Sequence, residues 1–293
     1  MTTYDQKTMD VLRKMQDGEM TEHYVYSALA NRLKEGDPNK AILLKIANEE
    51  KGHSNLWKRH TKTEAKVNHV RIAWFKAISR IFGFTFTLKL MEKGEDQAND
   101  IYQDIAKTFP EATRVAEDEQ SHEKDLLGML DEERLRYVGS MVLGLNDALV
   151  ELTGTLAGLS FALQNTKIIA LSGLITGISA TLSMMSSEYL SARSEGAEHP
   201  LKAASYTGIM YIAAVVMLVL PYLIFPANQY LYALLSMLVI VILIIFIFTY
   251  YVSVAQDLPF KKRFVEMAAI SLTVATIAFI IGIIVKQFMG IEV

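Results

Sequence analysis

For its first 135 residues the chain sets apolar side chains at helical spacing among charged ones; beyond Tyr137 the apolar positions merge into long runs. Met9, Leu12, Met15, Met20, Tyr26 and Leu29 share that spacing and predict one long helix over Tyr4–Lys34, stopped by Gly36-Asp37-Pro38. Ile42, Leu43, Ile46 and Ala47 mark the apolar side of a second helix, about Asn39–His60. A third helical region covers about Val70–Phe109 with a bend expected at Gly83, and Pro110 opens a fourth that runs to about Leu135. Four helices with short connections predict a bundle. The later runs are Val138–Leu163, Ile168–Ala192, Ala203–Phe225, Leu231–Ala255 and Phe264–Phe288. Each exceeds the ~20 residues needed to cross a ~30 Å hydrocarbon core. The expected fold is therefore all-α: a four-helix bundle in residues 1–135, then a five-helix transmembrane domain in residues 136–293.

Charge follows the same division. Residues 1–137 hold 24 of the 32 acidic and 22 of the 29 basic side chains. The net charge of −3 gives no basic footprint for nucleic acid, so no nucleic-acid partner is expected. With no cysteine, disulfides, thiolate metal sites and cysteine nucleophiles are excluded. The first 22 residues lack the apolar core of a signal peptide, so the bundle is expected to remain in the cytoplasm. Arg193 and Lys202 follow the second span and Lys261-Lys262-Arg263 the fourth, whereas the other two loops hold only Lys167. The positive-inside rule then predicts a multi-pass protein of the cell membrane, its N-terminus cytoplasmic and its C-terminus outside. The stretch 72–90 mixes Trp74, Phe75 and Phe86 with Lys76, Arg80 and Lys89, which suits a helix on a bilayer surface or partner subunit as well as a wide core face.

The bundle's acidic residues are arranged twice over. Gly18-Glu19 is followed by Tyr26 and by Glu50-Lys51-Gly52-His53; Gly94-Glu95 is followed by Tyr102 and by Glu119-Gln120-Ser121-His122. One Glu-x-x-His is weak evidence, but the repeated set matches di-iron and di-manganese carboxylate bundles, where two helices give a Glu each and two give Glu-x-x-His. Glu19 and Glu95 are then single ligands, Glu50/His53 and Glu119/His122 the paired ones, and Glu92, one turn before Glu95, a seventh candidate. Tyr26 and Tyr102 either hydrogen-bond the ligand carboxylates or simply pack. On these motifs, residues 5–135 resemble the rubrerythrin branch of the ferritin-like superfamily. That resemblance implies a di-iron centre, with manganese as the alternative, and oxidation by oxygen or peroxide. The absent Cys-rich rubredoxin module argues against reductase-coupled peroxidase turnover.

The membrane half also carries chemistry. Asp147 and Glu151 share one face of the first span, Met184 and Glu188 one face of the second. An ionised Asp at mid-bilayer costs roughly 2.5–3.5 kcal/mol on insertion scales and normally faces a bundle interior or a wet cavity. Carboxylate with thioether suits a divalent transition metal; the plainer reading is hydrogen bonding between helices. Gly144-Leu-Asn-Asp147-Ala-Leu and Leu182-Ser-Met184-Met-Ser-Ser-Glu188 resemble the vacuolar iron transporter family, which exchanges ferrous iron or manganese for protons. The resemblance implies a homodimer with Asp147 and Met184 in the metal path. The acidic insert of the plant members is replaced by Ser194–Pro200, so the bundle is expected to collect metal instead.

Together these features predict a proton-coupled exporter of Fe2+ or Mn2+, whose bundle captures metal and delivers it to, or gates, a path through Glu188, Met184, Asp147 and Glu151. The alternative is a membrane-anchored di-iron ferroxidase or peroxidase with the spans as anchor. Five spans exceed what an anchor needs, and an anchor has no use for Asp147.

Overall fold

The computed structural model describes residues 6–91, 105–106, 108–129 and 136–289, and all regular structure among them is helical. The chain divides into two compact units, Met1–Glu132 and Glu133–Val293.

In the first unit, helix α1 (Gln6–Ala30) packs along α2 (Pro38–Thr61) and α3 (His69–Ile81), and α4 (Glu111–Gly128) packs on α2. The α1 helix ends four residues before the predicted Lys34, because Arg32 N–H bonds back only three residues, to Leu29 C=O, and Leu33 N–H to Ala30 C=O. Asp37 caps α2 by accepting from Asn39 N–H at 2.9 Å, with Pro38 in the first turn where a missing N–H costs nothing. Lys62 closes it in the left-handed region at φ 57°. The predicted bend at Gly83 is a break: α3 stops at Ile81, Gly83 takes φ +96°, and helical backbone resumes over residues 84–91.

Apolar residues form two clusters along these helices. One gathers Val25, Tyr26, Leu29, Leu43, Ile46, Phe75, Leu88 and Leu126; the other gathers Leu12, Trp57, Phe109, Ala112 and Val115. Along α1, α2 and α4 alike, the Glu and His positions fall between the two. Gln16 fixes the register of α1 on α2: its carbonyl accepts from Ser54 Oγ at 2.9 Å and its side-chain oxygen from Thr61 Oγ1 at 2.5 Å.

The second unit holds five helices long and apolar enough to cross a membrane: α5 (Val138–Leu163), α6 (Thr166–Ser194), α7 (Pro200–Ile224), α8 (Tyr230–Ala255) and α9 (Phe260–Met289). The α5 helix is the hub and packs on the other four, while α6 leans chiefly on α7. Two glycines permit the closest backbone-to-backbone approaches. A Cβ on Gly144 would lie 2.3 Å from the Thr207 carbonyl oxygen on α7, and one on Gly282 would lie 2.5 Å from Gly158 O, joining α5 to α9. Pro221 neither ends nor breaks α7, which runs one more turn to Ile224. Asn165 caps α6, and Thr166 ties its start to the α7–α8 loop through its N–H to Ala227 C=O and its hydroxyl to Phe225 C=O.

Candidate functional site

Glu19, Glu50, His53 and Glu119 offer ligand atoms within 4.8 Å of one another, in a cluster that could hold a metal ion. Glu50 and His122 are almost wholly buried, and Glu19 and His53 nearly so. Each of two carboxylates faces both histidines. Glu50 presents Oε2 to His53 Nδ1 at 3.5 Å and Oε1 to His122 Nδ1 at 3.2 Å. Glu119 presents Oε1 to His53 Nδ1 at 3.4 Å and Oε2 to His122 Nδ1 at 3.5 Å. Glu19 Oε2 approaches only His53 Nδ1, at 3.7 Å. Glu92, Glu95 and Tyr102 lie outside the described residues, whereas Tyr26 is fully buried in the first apolar cluster.

Both oxygens of Glu50, both Nδ1 atoms and Glu119 Oε2 are buried without a hydrogen bond. Buried polar atoms rarely go unbonded, and here they converge on shared space. That convergence, with a hard-oxygen and imidazole donor set, fits a divalent metal. Glu19, Glu50, His53, Glu119 and His122 are the described residues that would hold it.

Two supporting carboxylates were not anticipated. His53 Nε2 bonds Asp118 Oδ2 at 3.1 Å, and His122 Nε2 bonds Glu49 Oε2 at 2.8 Å. Each lies immediately before the Glu of the opposite motif, so each histidine is aimed by the other helix, as outer carboxylates aim metal-ligating histidines. The doublets Glu49-Glu50 and Asp118-Glu119 were the available signal.

The facing carboxylates and histidines shift one another's protonation. Burial pushes the Glu50 carboxyl well above the usual carboxylate range, against the opposing pull of His122 and His53. Burial also acts to raise Glu119, but the two histidines outweigh it and hold that carboxyl below its ordinary value. Burial alone lowers a histidine; the facing carboxylates of Glu119, Glu19 and Glu50 reverse this for His53 and hold it far above its ordinary value. Glu119 and Glu50 do the same for His122, pushed up to about 11.

The membrane candidates are placed differently. Asp147 is half-buried and lines an open groove on α5 with Gly139, Val142, Leu143, Asn146 and Val150. Glu151, one turn on, is exposed on the unit's surface and accepts a 2.7 Å hydrogen bond from Tyr211 Oη of α7. Glu188 accepts from Ser140 Oγ at 2.6 Å, linking α6 to α5. Met184 is half-buried on α6 and does not line the groove. The bundle thus brings its described candidate ligands together, whereas Asp147, Glu151 and Glu188 form no metal-sized cluster among the described residues. Tyr211 and Ser140 escaped notice because one hydroxyl in an apolar run carries no spacing signal.

Five apolar helices, with carboxylates on the first, point to a multi-pass membrane protein, and its other unit carries a buried Glu/His cluster that could hold a metal ion. The VIT family model matches residues 138–198, which cover α5, α6 and the turn into α7 and include Asp147, Glu151, Met184 and Glu188. The match and the five helices support a vacuolar-iron-transporter-type membrane domain, and with it metal-ion transport. No curated protein matches the chain.

Proposed function

We propose that the chain is a proton-coupled exporter of ferrous iron or manganese in the cell membrane, working as a homodimer with its N-terminal domain in the cytoplasm. The reading rests above all on one observation: the segment matching the VIT family exposes Glu151, beside Asp147, on the outer face of a membrane-spanning helix. Such charges belong against protein or water rather than lipid. A second copy set against this face of α5 would cover them and enclose the path between subunits.

In this mechanism the bundle, residues 1–135, is a ferritin-like di-metal domain of the rubrerythrin type that collects cargo metal from the cytoplasm. Glu19, Glu50, His53, Glu119 and His122 would hold the metal together with Glu95, with Glu92 as a seventh candidate. Cargo passes to Glu188 at the mouth of the path, then past the Met184 thioether to Asp147 and Glu151. Serine 140 holds the Glu188 carboxylate and Tyr211 that of Glu151, so each acid meets the cargo in a set orientation. Metal arrival releases protons from these carboxyls and metal departure restores them, coupling the two fluxes without nucleotide.

Asp147→Asn tests this directly, since it keeps size and hydrogen bonding but removes the charge and the titratable proton. In proteoliposomes with an internal pH dye, metal-driven proton movement is expected to vanish while the protein still inserts and the bundle still binds metal. Wild-type flux at equal incorporation would overturn the transport reading and leave the anchored oxidase as the better account. Met184→Leu keeps volume but loses the sulfur, and is expected to slow metal flux with little effect on folding.

A further inference from the structure

We propose that α3 docks the first unit onto the surface of an anionic bilayer. The helix buries Ile72, Phe75 and Ile78 in the core, yet its opposite side is apolar too. Val70 is 81 % exposed, Trp74 61 % and Ile81 67 %, with Ala77 exposed between them. Positions 70, 74, 77 and 81 recur at helical spacing and form one stripe. Exposed Lys76 and Arg80 flank it and form no ion pair with any described residue. Arg71, on the other flank, is occupied by Glu22 at 2.8 Å.

Charge selects the occupant. Residues 69–91 carry four basic side chains and no acidic one, whereas α4 alone has six acidic against two basic. A tryptophan-bearing apolar stripe edged by lysine and arginine matches a helix lying in a headgroup layer, where cations meet lipid phosphate and the ring sits at the boundary. A second copy fits less well. Pairing α3 with α3 sets Lys76 and Arg80 against like charges, and the exposed residues of α4, such as Glu111, Arg114, Glu117 and Gln120, offer no apolar counterpart. The bilayer is also always at hand, because the chain itself tethers the unit to five spans. The inference needs only that membrane location and does not depend on the transport reading.

The chain has two tryptophans, and Trp57 is fully buried. Trp57→Phe therefore makes Trp74 the sole reporter in the intact chain. In nanodiscs containing phosphatidylglycerol, Trp74 emission is expected to shift to shorter wavelength than in phosphatidylcholine discs. Acrylamide quenching should fall, and nitroxide-headgroup lipid should quench. Lys76→Glu with Arg80→Glu should return all three readouts to the phosphatidylcholine values. If Trp57→Phe does not fold, the difference between wild type and Trp74→Phe isolates the same signal. Equal acrylamide access in the two lipids overturns the proposal, whether Trp74 is open to water or covered by the protein. Shielding without lipid quenching, accompanied by cross-links between bundles, also overturns it in favour of a second copy.

Discussion

Gly144→Ala adds one methyl group where α5 meets α7, a turn before Asp147. Its Cβ would lie 2.3 Å from the Thr207 carbonyl oxygen and 2.9 Å from the carbonyl carbon. Carbon and oxygen rest at about 3.3 Å or more, so the helices must part by about 1 Å. The obstacle is backbone, and no rotamer change relieves it. Overpacking of this kind costs about 1–3 kcal/mol. Parting the helices also strains the bond from Thr207 Oγ1 to Ser140 C=O, now 3.0 Å, a contact worth about 1 kcal/mol. Alanine's better helix propensity returns at most ~1 kcal/mol. The expected net loss is about 2 kcal/mol, or roughly 4–8 °C in melting temperature for a unit of this size. Asp147 should shift with α5, so metal flux should fall although no charge has changed. Circular dichroism melts in nanodiscs and flux in proteoliposomes read the two effects. Gly139→Ala, with no atom within 4 Å of its Cβ, serves as the melting control. A Gly144→Ala protein that melts and transports like wild type would show that the two backbones are not in contact there.

Glu50→Ala with Glu119→Ala removes both carboxylates that face the two histidines, and is expected to abolish tight metal binding by the bundle; two metals retained per chain by elemental analysis would refute the ligand assignment. Mn2+ should raise the melting temperature of the bundle, by a free energy of about 2.7 kcal/mol at 100 times the dissociation constant, and an unchanged melt would count against a preformed site. His122, raised to about 11, gives the metal-free bundle stability that is complete below its unfolded value and lost as pH climbs through about 11. Ligation needs neutral imidazole and ionised carboxylate, so Mn2+ binding should release at least two protons per bundle near neutrality and tighten with rising pH; a pH indicator in weak buffer that records no release sinks this account. Tyr211→Phe removes the hydroxyl that holds Glu151 and should cost about 0.5–1.5 kcal/mol while changing the pH dependence of flux, whereas an identical pH profile would mean that Tyr211 only packs.

Much of this was legible in the residues because the signals were long or repeated. The span Val138–Leu163 was placed to the residue, since Arg136 and Gln164 bracket a run that is mostly apolar despite Asp147 and Glu151. The inward position of Glu50, His53, Glu119 and His122 followed from two copies of one spacing, which chance rarely supplies. Single contacts gave no such redundancy. The doublets Glu49-Glu50 and Asp118-Glu119 mark a second acid beside each ligand, but which histidine that acid reaches depends on how α2 and α4 pack. The outward face of α3 was equally hidden: Trp74 and Phe75 are neighbours in sequence, and only the packed helix shows which one faces water. The full α1 helix was overestimated because apolar spacing continues to Leu33 after its backbone has tightened.

The length of α6 has a consequence for the membrane around it. Its 29 residues span about 43 Å at 1.5 Å each, against a hydrocarbon thickness of ~30 Å. Such excess can be absorbed by tilt, but the sequence from Ser186 to Ser194 is polar and suited to projecting instead. Counted from a boundary at Thr166, a ~30 Å hydrocarbon layer would take up about 20 residues and end near Glu188, leaving the last turn or two among phosphates. Hydrophobic mismatch then becomes a control on the carboxylate's hydration: each added ångström of acyl thickness draws it toward oil, and each ångström removed leaves it wetter. On the proposed path, vesicles that differ only in acyl-chain length should therefore differ in how readily cargo reaches Glu188.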